Sequence, residues 1–442
     1  MTMANVIPVK TPAETALGEA FGRLRETLPG GGGVLSLRDG AIAKFREKGL
    51  PHRRVEEWKY TDLRNLMREA NPVATGCEGA PAEPGKAEAF LAGIEHIRLV
   101  VLDGAFSPGL STVSALPPGL HVTSLADALA RGDEALIRAL GAGSPDNAVL
   151  DLNTAFMSDG VVVTVDAGVR IDVPVAIETR HSAPTAQATF TRSLVALGAG
   201  AGLTLIDSYE GPDGVAHQTN AALAIEIGDG ARLHRVSIQC QALEAQQISS
   251  LFVTLGKGAS LQSFALEAGA ALARNQLFVT YAGDNAKAMI AGAALLAGTR
   301  HADTTLVVDH AALGGESREL FKAVIDGEAR SVFQGKIVVR PGAQKTDGRM
   351  MSQSLLLSEG AEADAKPELE IFADDVQCAH GATCGALDED LLFYCKARGI
   401  PQAAAEAILV QAFVGEAVET VENEALRERL LTVTEAWLAK RV

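Results

Sequence analysis

Three side chains that can bind a metal ion lie within seven positions near the C-terminal end of the chain. The stretch "VQCAHGATCG", residues 376–385, contains Cys378, His380 and Cys384, although the whole chain has only five cysteines. A thiolate and an imidazole together suit zinc or iron. If residues 369–380, "LEIFADDVQCAH", form one strand, Cys378 and His380 share a face and lie about 7 Å apart. The spacing therefore predicts a site to which both side chains contribute.

The same pattern also has an interpretation without a metal. A Cys-x-His pair on one strand is common where a cysteine packs in the core and a histidine faces solvent, and the turn-rich stretch around Cys384 leaves its direction open. The chain has no phosphate-binding loop of the form G-x-x-x-x-G-K-[ST], no G-x-S-x-G and no H-E-x-x-H. We therefore expect that the chain alone is not an enzyme and that any ATP hydrolysis belongs to a partner.

The composition limits the class of protein. The formal net charge of −16 argues against a nucleic-acid groove and against a polybasic membrane surface. The first residues contain no apolar signal segment, and no run approaches the roughly 18 apolar residues of a membrane span. Five cysteines, an odd number, do not form a disulfide framework. These features predict a cytoplasmic protein with reduced thiols.

The N-terminal region, residues 1–95, has mainly helical patterns. Within it, "VEEWKYTDL", residues 55–63, reads as an amphipathic helix that Trp58 and Tyr60 anchor to the main body. A Pro- and Gly-rich stretch near residues 73–87 reads as a linker. We therefore predict a helical domain that a flexible segment joins to the rest of the chain.

The middle region, residues 96–384, becomes a succession of short β-rich runs from about residue 160. Similar small turns separate these runs, and their central residues, Gly200, Gly230, Gly258 and Asn285, are 30, 28 and 27 positions apart. A period near 28 without helices favours a solenoid of stacked strands, in which each turn residue supplies a positive φ. A β-sandwich would instead show tight hairpins every 8 to 12 residues. The sequence therefore predicts a mainly β protein with a β-helix core.

The C-terminal region, residues 385–442, contains three helical patterns rich in Ala and Leu. Acidic residues lie in the first turn of the first pattern, and Gly399 follows its end. A solenoid has two open ends, and an open end is an exposed strand edge that invites pairing. We expect these helices either to cap the solenoid or to bind a partner.

Residues 345–400 resemble the C-terminal half of the core domain shared by the SufB and SufD proteins of iron-sulfur cluster assembly. The run "KPELEIFADDVQCAHGAT" is specific, and "LFYCKARGI" extends it into the first C-terminal helix. Further upstream, "LNTAFMSDG" and "EEWKYTDL" are similar to the SufD branch of the family. SufB-like chains carry a cysteine in the coil that corresponds to "GRMMSQSLLL", where this chain has Ser352 and Ser354. The chain therefore resembles the SufD branch.

The resemblance implies a fold, partners and sites. It implies a right-handed parallel β-helix between N-terminal and C-terminal helical domains, paired with a SufB-like paralogue and a SufC-like ABC ATPase. The cofactor would be iron or an iron-sulfur cluster, held transiently and shared with the partner, with His380 and Cys378 at the subunit interface. The remaining ligands would come from the other chain or from sulfide. Docking of the ATPase would involve the first C-terminal helix through Leu391, Phe393, Tyr394, Arg398 and Ile400.

Two further features leave alternatives open. In "KTDGR", Lys345, Asp347 and Arg349 alternate along an extended segment and could guide an anionic persulfide or sulfide, or simply form local ion pairs on a solvated surface. The chain could also be a scaffold for an ABC-type ATPase without a metal role. A carbohydrate-cleaving β-helix enzyme is disfavoured by the aromatic content of 5%. An open solenoid edge also makes a homodimer plausible when the partner is absent.

Overall fold

The computed structural model describes residues 10–74, 76, 89–132, 140 and 146–439. Helices lie mainly at the two ends of the chain. Within the described residues they are α1 (Pro12–Leu24), α2 (Gly32–Lys48), α3 (Leu63–Leu66), α4 (Leu125–Ala130), α5 (Ala148–Phe156), α6 (Glu389–Ala397), α7 (Gln402–Val418) and α8 (Glu424–Ala439). In these ranges no helix is long and apolar enough to cross a membrane.

Strands occupy most of the chain between residues 97 and 385. They are β1 (Ile97–Leu102), β2 (Ala105–Phe106), β3 (Leu120–Ser124), β4 (Val161–Val165), β5 (Val175–Arg180), β6 (Ala188–Leu197), β7 (Gly202–Glu210), β8 (Gln218–Ile227), β9 (Arg232–Gln239), β10 (Gln246–Leu255), β11 (Ser260–Glu267), β12 (Leu272–Tyr281), β13 (Lys287–Leu296), β14 (His301–His310), β15 (Glu316–Ile325), β16 (Arg330–Val339), β17 (Asp347–Leu356), β18 (Glu362–Ile371) and β19 (Gln377–Gly385).

The strands alternate between two sheets, which we call sheet 1 and sheet 2. Sheet 1 contains β2, β1 and then every odd strand from β5 to β19, and sheet 2 contains β3 and every even strand from β4 to β18. From β5 onward all pairing is parallel, whereas β2 and β3 pair antiparallel at the N-terminal end. The predicted β-helix is therefore confirmed as a solenoid of about eight turns.

The repeated turns predicted from the sequence form one column at a corner of the solenoid. Gly200, Gly230, Gly258 and Asn285 all have φ between 58° and 68°. Each donates its backbone N–H to a carbonyl of the following coil at 2.8 Å. The left-handed backbone explains why glycine, or asparagine as its usual substitute, recurs with this period.

The interior of the solenoid is built from alternate residues of both sheets. Val253, Val279 and Val308 of sheet 2 pack in one cluster with Leu261 and Ile290 of sheet 1. Residues between them point outward. This period of two makes the face of every strand residue readable from its register.

The N-terminal helices pack on the outer face of sheet 2. Thr11 caps α1 with a capping box completed by Glu14, and the buried core includes Phe45 and Trp58. The predicted helix over 55–63 is wrong. Only Glu56–Trp58 form a 3₁₀ turn within it, and α3 begins at its last residue, because Glu57 and Thr61 form hydrogen bonds with the sheet instead. Most of the predicted linker, residues 77–87, lies outside the described residues.

The C-terminal helices α7 and α8 pack on the outer face of sheet 1, not across the end of the solenoid. Val410 and Leu430 of the helices share a buried cluster with Val236, Phe264 and Ala291, which point outward from the sheet. Of the two alternatives expected for the C-terminal helices, capping of the solenoid end is therefore wrong for α7 and α8, and binding of a partner stays a prediction. The helices pack there because the middle strands of sheet 1 have columns of outward apolar side chains. Within the described residues, no strand pairs with the outer edge of the last coil.

Gly283 provides a test of how closely successive coils approach at the corner. A Cβ atom there would lie 2.1 Å from the backbone nitrogen of Lys257, whereas a Cβ on Gly342 would meet nothing within 4 Å. We predict that Gly283→Ala lowers the free energy of unfolding by about 2 kcal/mol because the coils must separate. Urea unfolding checks this, with Gly342→Ala as the matched control that changes it by less than about 0.5 kcal/mol.

Candidate functional site in the last coil

Cys378 and His380 lie on the inward face of β19, the last strand of the solenoid. In the parallel register of β17 and β19, Cys378 pairs with Gly348 and His380 with Met350. Met350 is 2% exposed and packs in the interior cluster, with Cys378 packed against that cluster. Both candidate ligands therefore project from the same face of one strand, as the sequence predicts.

The strand that carries these residues is an edge strand. β19 is the terminal strand of sheet 1, and no strand in the described part of the chain pairs with its other edge. As a result, Cys378 is only half-buried and His380 is exposed, although the positions beneath them are buried. A second molecule can therefore reach both side chains and the free backbone groups of β19.

The predicted single strand over residues 369–380 is wrong. β18 ends at Ile371 and β19 begins at Gln377, so the chain changes sheets through residues 372–376. Asp374 and Asp375 lie in this corner, where the carbonyl of Asp375 accepts a hydrogen bond from the Lys345 backbone. The error arises because a corner residue such as Ala373 is as buried as a strand residue.

Cys384 also faces inward, which the sequence left open. It pairs with Ser354 and is an even number of residues from Cys378. Six residues of extended strand span about 20 Å, so Cys384 cannot share one ion with Cys378. Among the described residues no group of three or more His, Cys, Asp and Glu side chains could hold a metal ion. In the described part of the chain, Cys378 and His380 are thus two candidate ligands without a third beside them.

The surroundings of Cys378 favour its neutral thiol. Partial burial raises the pKa of the thiol, and the carboxyl groups of Asp347 and Glu319 raise it further, while the backbone of Gly348 acts in the opposite direction. A soft metal ion binds the thiolate, so binding would have to displace this proton.

Glu319 is a buried carboxyl group that sequence reasoning missed. It lies directly beneath Met350 in the inward column that ends at His380 and is 2% exposed. Neither carboxyl oxygen of Glu319 accepts a hydrogen bond of normal geometry from any described residue. Burial raises the pKa of Glu319 to about 8, against smaller lowering effects of Ser317 and Arg318. The alternation of "SRELFKA", which puts Glu319 in phase with buried Phe321, could have revealed it.

The "KTDGR" residues lie apart from the inward face. Lys345 is in a corner with φ of 63° and forms an ion pair with Asp375. Asp347 and Arg349 point outward from β17 and pair with each other at 3.2 Å, and Arg318 binds Asp347 at 2.7 Å. These ion pairs match the local-pair interpretation, and the predicted sulfide path stays a prediction.

The first C-terminal helix, α6, exposes apolar side chains. None of its residues is buried, and Leu391, Phe393 and Tyr394 are 52%, 73% and 54% exposed. The guanidinium of Arg398 lies 3.5 Å from the centroid of the Tyr394 ring, and Ile400 is half-buried just beyond the helix. Apolar residues this exposed on one short helix are typical of a protein-binding surface.

Comparison with known proteins places these features in a family. Residues 179–413 match the model of the SUF system FeS cluster assembly SufBD core domain, and residues 33–177 match the SufBD protein N-terminal region. The chain is 31% identical over 410 residues to an iron-sulfur cluster assembly SufBD family protein of Synechocystis, covering 90% of this chain and 89% of that protein.

Two proteins named SufD are also similar to the chain. The iron-sulfur cluster assembly protein SufD of Escherichia coli is 28% identical over 397 residues, covering 88% of this chain and 90% of that protein. SufD of Bacillus subtilis is 34% identical over 132 residues, 30% of each chain. The family resemblance seen in the sequence motifs is therefore confirmed.

Glu319 makes stability depend on pH in a direction that can be measured. In the folded protein the pKa of the Glu319 carboxyl group is about 8, whereas the ordinary pKa of a glutamate side chain is 4.5. The free energy of unfolding should therefore fall as pH rises between these values, by up to about 1.4 kcal/mol per pH unit. We predict that Glu319→Gln flattens this slope in urea unfolding between pH 5 and pH 8. Glu316→Gln, on the outward face of the same strand, should retain the wild-type slope.

Proposed function

This chain belongs to the SufBD family of the SUF system of iron-sulfur cluster assembly, and we propose that it acts there as a non-catalytic scaffold subunit. In this proposal it pairs with a SufB-like paralogue, binds a SufC-like ABC ATPase, and works in the cytoplasm. In this proposal the chain has three domains: an N-terminal helical domain (1–95), the β-helix core (96–384) and a C-terminal helical domain (385–442).

The observation that carries the proposal is the open last coil with Cys378 and His380 on its inward face. A partner that adds a strand to β19 would satisfy its free backbone groups and enclose the two side chains at once. The composition of the two edge strands favours β19 for this pairing. β19, "QCAHGATCG", has small uncharged residues, whereas β18 has Pro367 and outward charged residues such as Glu368, which disfavour edge pairing.

The chemistry of the half-site suits iron or a nascent cluster as cargo. A thiolate and an imidazole are accepted ligands of iron and of iron-sulfur clusters. Because Cys378 and His380 supply only two ligands, the others would come from the partner chain and from sulfide. The cargo would therefore be bound transiently and would be weakly held by this chain alone.

The ATPase partner would bind α6 and the residue that follows it. Leu391 and Tyr394 are three residues apart and share one flank of the helix, whereas Phe393 lies on another, so the partner would have to contact more than one side. The stacked Tyr394–Arg398 pair places a cation at the end of this surface. A matching groove would be apolar with a carboxylate near Arg398.

The first test of this function is the variant His380→Ala. We predict normal folding and normal complex formation, because His380 is exposed, but reduced iron-sulfur cluster assembly. Activity of a cluster-dependent reporter enzyme in cells measures the effect. Thr383→Ala, an exposed position on the outward face of the same strand, is the matched control. Unchanged cluster output in His380→Ala would remove the ligand role and leave a scaffold without a metal role.

The second test addresses the ATPase surface. Phe393→Asp places a charge where the largest exposed apolar side chain of α6 lies, and we predict at least a tenfold weaker affinity for the ATPase, about the effect of losing one interface hot spot. Titration of the purified ATPase measures this. Thr432→Asp, which adds the same charge at an exposed position of α8, controls for the charge change. Equal affinities for Phe393→Asp and the wild type would place the docking surface elsewhere.

A further inference from the structure

One N-terminal segment, residues 56–74, crosses the outer face of sheet 2 from the last coil to one of the first. We call this segment the strap. Side chains or backbone groups of seven successive strands contact it: Lys366 of β18, Gln334 of β16, Asp303 of β14, Arg274 of β12, Gln246 of β10, Gln218 of β8 and Ala188 of β6. Coils of a solenoid otherwise contact only their neighbours. The strap is therefore a direct connection over seven of the nine strands of the sheet.

The strap is held most firmly at its centre by a buried polar lock. The Thr61 hydroxyl donates to Asp303 and accepts from Nε2 of His301 at 2.9 Å. Arg274 forms an ion pair with Asp303 and donates to the carbonyl of Glu57 at 2.6 Å. Its guanidinium also lies 3.8 Å from the centroid of the Trp58 ring. Thr61, Asp303 and Arg274 are at most 1% exposed.

The strap also forms contacts at its two ends. Toward the last coil, Glu56 pairs with Lys366 and the carbonyl of Glu57 accepts from Gln334 at 3.3 Å. Toward the first coils, the backbone of residues 72–74 forms a parallel bridge with Ala188. Since Glu56 and Lys366 are at the surface, their pair alone would add little stability. The Glu56–Lys366 pair can nevertheless position β18, because the central lock fixes the backbone next to Glu56.

We propose that the strap is a positioning element for the last coil, and that Thr61 holds the coil bearing Cys378 and His380 in register through it. The last coil has a neighbouring coil on one side only, so the strap supplies a second support. This inference rests on the proposed function only for the meaning of the last coil as the partner-facing end. The positioning itself is a property of the isolated chain.

Hydrogen exchange of the full chain tests the proposal. Thr61→Val keeps the shape but removes both hydrogen bonds of the hydroxyl. We expect amides of β18 and β19 to exchange about tenfold faster, while those of β8 and β9 change by less than about twofold. Thr61→Ser, which keeps the hydroxyl, should restore the wild-type pattern, and Thr254→Val, an exposed position on β10, should not alter it.

Two results would overturn the proposal: unchanged exchange in β18 and β19, or an equal increase in every coil. If Thr61→Val does not fold, Glu56→Gln provides the second variant, since it removes only the surface end of the connection and leaves the pair of Lys366 with Glu368 on β18 intact. It should speed exchange in β18 and β19 alone, and no effect there would also count against the strap. Neither measurement depends on cluster assembly, so failure of the proposed function would not be mistaken for failure of the strap.

Discussion

The backbone hydrogen bonds between successive coils are the interaction on which the rest of this structure depends. Each strand from β5 to β17 has parallel partners on both sides, and the corner that contains Gly200, Gly230 and Gly258 is fixed by N–H groups that reach the next coil. The last coil has only one neighbour. No further coil follows it in the described part of the chain. For this reason its edge is unpaired, its interior is half-exposed, and Cys378 and His380 are accessible.

The elements that cover the outer faces of the two sheets leave this open end free. The strap supports the last coil from the face of sheet 2, α7 and α8 cover the outer face of sheet 1, and neither covers the free edge of β19. The edge strand of sheet 2 has a proline and outward charges, while that of sheet 1 has neither. The chain is thus built to leave one edge available, and the candidate ligands lie on that edge.

Much of this arrangement could be predicted from the sequence because its causes are local. The left-handed corner requires Gly or Asn, so Gly200, Gly230 and Gly258 revealed the period of the solenoid. The alternation of Cys378 and His380 revealed their common face. The family motifs "KPELEIFADDVQCAHGAT" and "EEWKYTDL" revealed the family.

Other features depend on long-range contacts that no local pattern encodes. The strap binds largely through backbone carbonyls, such as that of Glu57, which leave no trace in residue type, so its segment was mistaken for a helix. The corner at residues 372–376 contains no Gly or Pro that would mark it as a turn. The side-on packing of α7 and α8 depends on outward columns such as Val236 and Phe264, which only the register identifies.

In our proposal this chain is an assembly subunit that binds one partner at its open coil and another at its exposed helix. Anaerobic purification of the tagged chain from its native cells, with mass spectrometry of the co-purified proteins and assays of iron and acid-labile sulfide, tests it most directly. Our account predicts recovery of a second β-helical SufBD protein and an ABC-type ATPase. Recovery of the chain alone, free of iron and sulfide, would contradict it.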